Sequence, residues 1–375
     1  MGPISDVKMS DIKPFTVFIG RSATGKSTIM KVTALFRYLF KLASIRSYLH
    51  HSEIKRSPFR LDFSKLLKEN GLYGMVENST EIVYTVLFDD NTDYTIEFRN
   101  RKLSALPSIE KPHLTFVKGA FISENRNALS SWIGTGLQRI SVNLGYYFKE
   151  TLDLFMSASD SLKEIELPFI DARFAVKKAG NGIKSYELTR ANKPFKLKDA
   201  SSGMKSTVPI AVIARYLAEE FSFEDAFNRS VLDYVVRYNR LNDFRPFGGI
   251  ENFEKIIAFH VEEPELSLDP YSQALLIEFL CQTLYHKVEQ DRSCRTLMAT
   301  HSPYIVNYLN LMMAKYEKNA SEGINPEYVD VYLTNEDGTI TSVLVRDESD
   351  RKVIDTSFLS DIIQDFYTDY SDLRL

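Results

Sequence analysis

Between Gly20 and Thr28 the chain reads GRSATGKST, which fits the pattern G-x-x-x-x-G-K-[ST]. The setting of this stretch constrains the fold more than the pattern alone. An apolar run, PFTVFI (14–19), stops at Gly20, as a buried strand feeding a turn would. A helical pattern then runs from Lys26 to about Leu49. The loop chemistry needs these residue types. Gly20 and Gly25 let the backbone through Arg21, Ser22, Ala23 and Thr24 curl until successive N–H groups point at phosphate oxygens. The helix N-terminus, from Lys26 through Thr28, adds partial positive charge. Lys26 is suited to reach the β- and γ-phosphates of a nucleotide, and Ser27 to offer a hydroxyl to Mg²⁺.

The rest of the chain predicts how that unit is completed. EIVYTVLFDDNTDYTIEF reads as two alternating strands around an Asp-Asp-Asn turn. HLTFVKGAFIS (113–123) is another strand, and a helix-rich stretch follows to about Leu162. Alternation returns over 172–197, with Gly180-Asn181-Gly182 as a hairpin turn. A strong helix spans 206–218, and the aromatic and charged stretch 221–250 reads as a helical insertion, either a partner surface or a lid packed on the core. IIAFHV (256–261) and RTLMAT (295–300) are buried strands, each followed by a helix. VDVYLT (329–334) and ITSVLV (340–345) make a terminal hairpin, and 355–371 a final acidic helix. The order gives an α/β core interrupted by a long insertion.

Bulk properties exclude some classes. Cys281 and Cys294 form no C-x-x-C pair, which argues against a disulfide framework or a zinc site. The longest apolar stretch, Val32–Leu49, is broken by Arg37, Lys41 and Arg46, so it predicts an amphipathic helix and no membrane span. A net charge of −4 gives no global sign of a nucleic-acid coat. The basic start and acidic end of the chain could meet in an oligomer, although solvated faces explain such bias more simply.

Three later segments carry further chemistry. Phe259-His260-Val261-Glu262-Glu263 ends a buried strand in two carboxylates. In such a pair the first acid suits Mg²⁺ and the second suits polarising a water. Like charges at a strand end are costly unless a cation sits there. Ala200-Ser201-Ser202-Gly203-Met204-Lys205 precedes the 206–218 helix and is either a second anion-binding device or a plain N-cap. His301, in Ala299-Thr300-His301-Ser302-Pro303, stands where the next strand stops, within reach of a γ-phosphate or of the water.

In this order the segments resemble the ABC-type ATPase heads of the SMC, RecF and OLD-like families. Glu262-Glu263-Pro264-Glu265-Leu266-Ser267-Leu268-Asp269-Pro270 is similar to the acidic run of OLD-like proteins, and Thr300-His301-Ser302-Pro303 to their switch segment. The resemblance implies an ABC-type P-loop head with a mixed β-sheet core, an antiparallel β-subdomain and helical insertions. The whole chain, 1–375, would be one head: a nucleotide-binding core at 1–50 and 251–346, a β/helical lobe at 51–220 and a helical insertion at 221–250. The resemblance also implies ATP and Mg²⁺ as ligands. Gly20–Thr28 would bind phosphates, Ser27 and Glu262 would serve the metal, Glu263 would be the base and His301 the γ-phosphate sensor. Ser201, Ser202, Gly203 and Lys205 would touch the nucleotide of a second copy, with Asp269 at the interface. Phe121–Arg126 falls where these families end a strand near the nucleotide, without their glutamine. Glu262 stands where an Asp is usual. No sustained heptads predict a coiled coil, and too little chain follows His301 for a TOPRIM nuclease.

The implied function is a cytoplasmic, homo-oligomeric ATPase without a membrane segment. It would act as the sensing subunit of an anti-phage defence system beside a separate effector, such as a nuclease or toxin, as in PARIS-, Septu- and retron-type operons. A RecF-like ATPase binding duplex DNA is the alternative, supported by Lys55, Arg56, Arg60, Lys65 and Lys68. An ATP-dependent scaffold with little turnover is another, and a transporter ATPase fits least.

Overall fold

A strand apolar on both faces needs the interior of a parallel sheet, and Phe15–Gly20 finds one. It forms β1, buried until its last residue, and α1 (Lys26–His51) leaves from the loop that follows. The structure, a computed structural model, describes residues 1–54, 61–133, 146–178, 184–237, 239–240, 242–246, 248 and 250–373. Next come α2 (Phe63–Glu69), the antiparallel strands β2 (Ile82–Leu87), β3 (Asp93–Arg99) and β4 (Lys102–Leu103), and then β5 (Thr115–Ile122). The short α3 (Leu129–Trp132) and α4 (Tyr146–Ser161) lead to a second antiparallel sheet of β6 (Glu164–Leu167), β7 (Ala172–Lys178), β8 (Lys184–Arg190) and β9 (Lys193–Lys196). After α5 (Ser202–Arg215) and α6 (Phe223–Arg237), the chain returns through β10 (Glu254–Glu262), α7 (Pro270–Cys281), β11 (Ser293–Thr300), α8 (Pro303–Lys318) and β12 (Val329–Thr334). It finishes with β13 (Ile340–Ser342), β14 (Leu344–Arg346), β15 (Lys352–Ile354) and α9 (Ser357–Asp372).

The core sheet runs β13-β12-β1-β11-β10-β5, parallel throughout except for β13 at one edge. Parallel strands all end on one side, and that fact positions the site. Ile19 lies opposite Thr300, Gly20 opposite Thr334, and Glu262 opposite Ala299. The ends of four strands, β10, β11, β1 and β12, thus emerge side by side. Beneath them, Phe18, Ile29, Met30, Phe121, Leu297 and Ala299 form a small apolar cluster that fixes the first turns of α1 on the strand ends. Each such fully buried side chain contributes roughly 1.5 to 3 kcal/mol.

The structure departs from the sequence reading in two places. α1 is no one-sided amphipathic helix: it packs on the core sheet, while Phe36 and Phe40 also meet Tyr84, Phe88 and Tyr94 of the β2–β4 sheet. Layers on both sides bury even Arg37. The terminal hairpin is also wider in role than predicted. β12 does pair with β13, but its other edge joins β1, and Leu344–Arg346 turns away to pair with Lys352–Ile354. Within 221–250, α6 turns Phe223, Phe227 and Tyr234 inward, and Phe227 stacks near Phe116 and Tyr48. The Gly180-Asn181-Gly182 turn lies outside the described residues, between the paired β7 and β8. Among the described residues, no helix is long and apolar enough to cross a membrane.

Candidate functional site

The phosphate-type loop is held by β12 as much as by its own strand. Gly20 has φ 151°, and a Cβ there would lie 2.4 Å from Thr334 Oγ1 and 2.7 Å from the Thr334 carbonyl oxygen. Only glycine fits that approach. Thr24 Oγ1 donates to the Arg21 carbonyl (2.8 Å) and meets Thr334 Oγ1 at 2.6 Å. Arg21 pairs with Glu336, at 2.7 Å, in the turn after β12. Lys26 lies folded over the loop, donating to the carbonyls of Gly20 (2.8 Å) and Arg21 (2.6 Å). Burial pulls its ammonium down to about 8, against the attraction of Glu263 and Glu265. An anion in the loop would raise it again.

Glu262, the last residue of β10, is only 1% exposed. Among the described residues, neither of its carboxyl oxygens has a hydrogen-bond partner, although Ser27 and Glu124 lie against it. Burial, and then Glu124, push this carboxyl up to about 7. Two orphaned buried acceptors beside a hydroxyl form an all-oxygen set, and such a set fits Mg²⁺.

The sign of the resulting pH effect follows from the raised value. Between about pH 4.5 and 7 the folded chain holds a proton that the unfolded chain has released, so this contribution to stability is lost as pH rises through 7. Glu262→Gln is therefore expected to melt a few degrees higher than the native chain at about pH 8 without metal. It should also lose any Mg²⁺-dependent gain seen with nucleotide. Melting curves at two pH values test this, and equal midpoints at the higher pH would refute it.

Glu263 turns sharply off the strand with φ 43°, in the left-handed region. That conformation costs a non-glycine residue roughly 1 to 3 kcal/mol and must be held. Its N–H donates to the Ala299 carbonyl (2.8 Å), and Arg126 Nη2 donates to its carbonyl (2.5 Å). Arg126 is wholly buried and, among the described residues, its side-chain hydrogen bonds all go to backbone. Nη1 reaches the Ser123 (3.0 Å) and Glu262 (2.6 Å) carbonyls, and Nε reaches the Ser206 carbonyl (2.9 Å). One guanidinium thus ties the end of β5, both acids and α5 together. Burial lowers its pKa to about 10, which still leaves it charged near neutrality.

His301 Nε2 lies 3.7 Å from Glu263 Oε1, too long for a direct hydrogen bond. The His301 N–H donates to Glu265 Oε1 (2.7 Å), so the third acid of the run orients the histidine loop. Ser302 caps α8 and donates to Gln273 Oε1 (2.5 Å), while Gln273 Nε2 donates to the Leu268 carbonyl (2.9 Å). The histidine loop and the turn before α7 are therefore linked through one glutamine.

The predicted phosphate loop, acids and histidine come together. The 200–205 segment stands apart. Ser201 caps α5, accepting from the Met204 N–H at 3.4 Å, and Ser201 and Ser202 are exposed. Among the described residues, neither has a hydrogen bond to the phosphate loop. Gly203 is buried, and a Cβ there would lie 2.6 Å from the Ser267 carbonyl oxygen. Gly203→Val should cost about 1 to 3 kcal/mol in urea denaturation by forcing α5 off that turn; an unchanged midpoint would refute the contact. Asp269 caps α7, accepting from the Tyr271 (3.0 Å) and Ser272 (3.1 Å) N–H groups. Thr334 and Glu336 have no role in the sequence reading, and Glu124 and Arg126 enter it only within the Phe121–Arg126 segment placed near the nucleotide. Only Arg126 carries a signal, as an arginine just past an apolar strand.

The family AAA_21, described as "AAA domain, putative AbiEii toxin, Type IV TA system", matches residues 15–307. No curated protein matches the chain. Among solved structures the chain is similar to "Crystal structure of the SmcHead bound to the C-winged helix domain of ScpA", with 10% identity and a TM-score of 0.35, over 90% of this chain and 92% of that one. The family match runs from the first core strand into the helix after the histidine loop: the chain belongs to AAA_21 and is an ATP-binding protein of the P-loop ATPase class.

Proposed function

We propose that this protein hydrolyses ATP bound between two copies of itself. The observation that carries the reading is the convergence of Lys26, the unpartnered buried Glu262 and the Glu263–His301 pair at the ends of adjacent parallel strands. Lys26 would leave the carbonyls of Gly20 and Arg21 for the phosphates. Mg²⁺, held by Ser27 and Glu262, would neutralise charge on the phosphates. Glu263 would accept a proton from the attacking water, with His301 Nε2, 3.7 Å from its Oε1, beside the same water. His301 would report the γ-phosphate through Glu265, Ser302 and Gln273.

Ser201, Ser202 and Lys205 would meet the nucleotide of the second copy, since the α5 N-terminus is exposed and makes no hydrogen bond to its own loop. Asp269, occupied in capping α7, would shape that interface through the helix end it fixes. The single-head reading stands with it: core at 1–50 and 251–346, inserted lobe at 51–220, helical insertion at 221–250.

Biologically, the best-supported role is the regulatory ATPase of a defence system with a separately encoded effector. The family description, "putative AbiEii toxin, Type IV TA system", supports a toxin-based system and attaches the toxin to the ATPase domain itself; the separate effector rests on the resemblance alone. The test of the nucleotide reading is the solution mass of Glu263→Gln with and without Mg-ATP. ATP is expected to drive dimer formation, and adding Ser201→Arg to abolish it. A chain that stays monomeric at saturating ATP rules out the sandwich.

A further inference from the structure

A cavity of about 1350 Å³ opens between the N-terminal segment, α1, β2 and the starts of β10 and β11, and at one end it reaches Thr28. Arg37 lines it. It lies eleven residues beyond Lys26 on α1, roughly 16 Å along the helix. The Arg37 side chain is among the buried charged groups, and among the described residues it has no ion pair. Its acceptor is His260 Nε2 at 3.1 Å, with the Tyr84 hydroxyl near it. His260 brings no negative charge: its Nδ1–H donates to the Ala120 carbonyl (3.2 Å), and burial, with Arg37 beside it, holds the ring far below its ordinary pKa, at about 3. Arg295, on the same cavity, is met by Glu254, and Lys13 pairs with Asp11; Glu77 and Glu81 also line the wall, so among the described residues Arg37 is the lining side-chain cation without a carboxylate partner.

A guanidinium buried among neutral acceptors is costly unless a negative group joins it. The cavity has room for that group and a body attached to it, since ligand pockets commonly span about 300 to 1,000 Å³. Phe36, Phe40, Val117 and Ile256 supply apolar wall. We propose that this cavity binds a small organic anion, a carboxylate or phosphate ester with an apolar body, whose head pairs with Arg37 and whose body lies against α1 and the sheet. The Arg37 end of the cavity lies about three helical turns from Lys26. Arg37 sits on the helix that begins at Lys26, and its acceptor His260 on the strand that ends at Glu262. A bound anion would therefore touch both elements that carry the phosphate loop and the acids.

Anilinonaphthalene sulfonate, an aromatic anion whose fluorescence rises in apolar surroundings, probes the site on the full chain. Saturable binding at one site per chain is expected. Octanoate should displace the probe and octanol should not. Arg37→Gln should weaken binding about tenfold, with Arg37→Lys recovering part of it. Melting curves check that the variants fold. Should Arg37→Gln fail to fold, Arg295→Gln, at a half-buried position on the same cavity, should weaken the probe about threefold. The proposal is overturned if the folded variants bind like the native chain, or if octanol competes as well as octanoate. Competitive displacement by Mg-ATP would also overturn it, because the cavity would then be part of the nucleotide site. Lys26→Ala separates the two readings: it should lose ATP and keep the probe. Failure of the native chain to bind ATP would count against the proposed ATPase and leave the anion site standing.

Discussion

Glu263→Gln is expected to release phosphate from ATP about a hundred to ten thousand times more slowly than the native chain while still binding the nucleotide. The amide keeps the size and the turn of the glutamate, so the contacts to Ala299 and Arg126, which are made by its backbone, survive. What is lost is the ability to take a proton. The strained φ of 43° explains why this acid, and not its neighbour, is placed to do so. It swings Glu263 off the strand end toward His301, while Glu262 stays buried in line with β10. A phosphate-release assay paired with nucleotide-binding titration checks both halves. Turnover within tenfold of native would remove Glu263 from the chemistry.

Arg126→Met should be the most destabilising single change near the site, costing about 3 to 5 kcal/mol. The methionine fills part of the space but donates nothing. The carbonyls of Ser123, Ser206, Glu262 and Glu263 would lose the donor that now gathers them. The nearby carboxylates of Glu124, Glu262, Glu263 and Glu265 would also lose their shared counter-charge. Urea denaturation measures the loss, and a shift below about 1 kcal/mol would show that the carbonyls find other partners. Arg126→Lys should recover little, because an ammonium on a flexible stem cannot span backbone on three segments at once.

What the sequence makes legible follows its physics. Apolar runs that stop at Gly20, Glu262 and Thr300 mark the three strands, because buried parallel strands lack alternation and end abruptly in functional loops. Glycines and paired acids mark the site for the same reason: each is tolerable only where geometry or a ligand compensates. The fourth strand is harder to read. VDVYLT reads as half of a hairpin, and nothing local reveals that its second edge completes β1 or that Thr334 stands against Gly20. Arg126 is hidden by composition, since an arginine is ordinarily a surface residue and its burial depends on backbone carbonyls brought from β10 and α5. α1 misleads in the same way. Arg37 and Lys41 break its apolar run and look like a wet face, until a second sheet covers that side.

The position of β1 also bears on how the protein is made. β1 leaves the ribosome long before its two sheet neighbours, β11 (Ser293–Thr300) and β12 (Val329–Thr334), are made. At roughly 5 to 20 residues per second, the strand that carries the phosphate loop waits about 15 to 60 s with two open edges and an apolar sequence. Pairing so distant in sequence is slow to form even once the whole chain is free. During synthesis the nascent protein should therefore depend on chaperones that shield such edges, and it should be blind to nucleotide until β12 has docked.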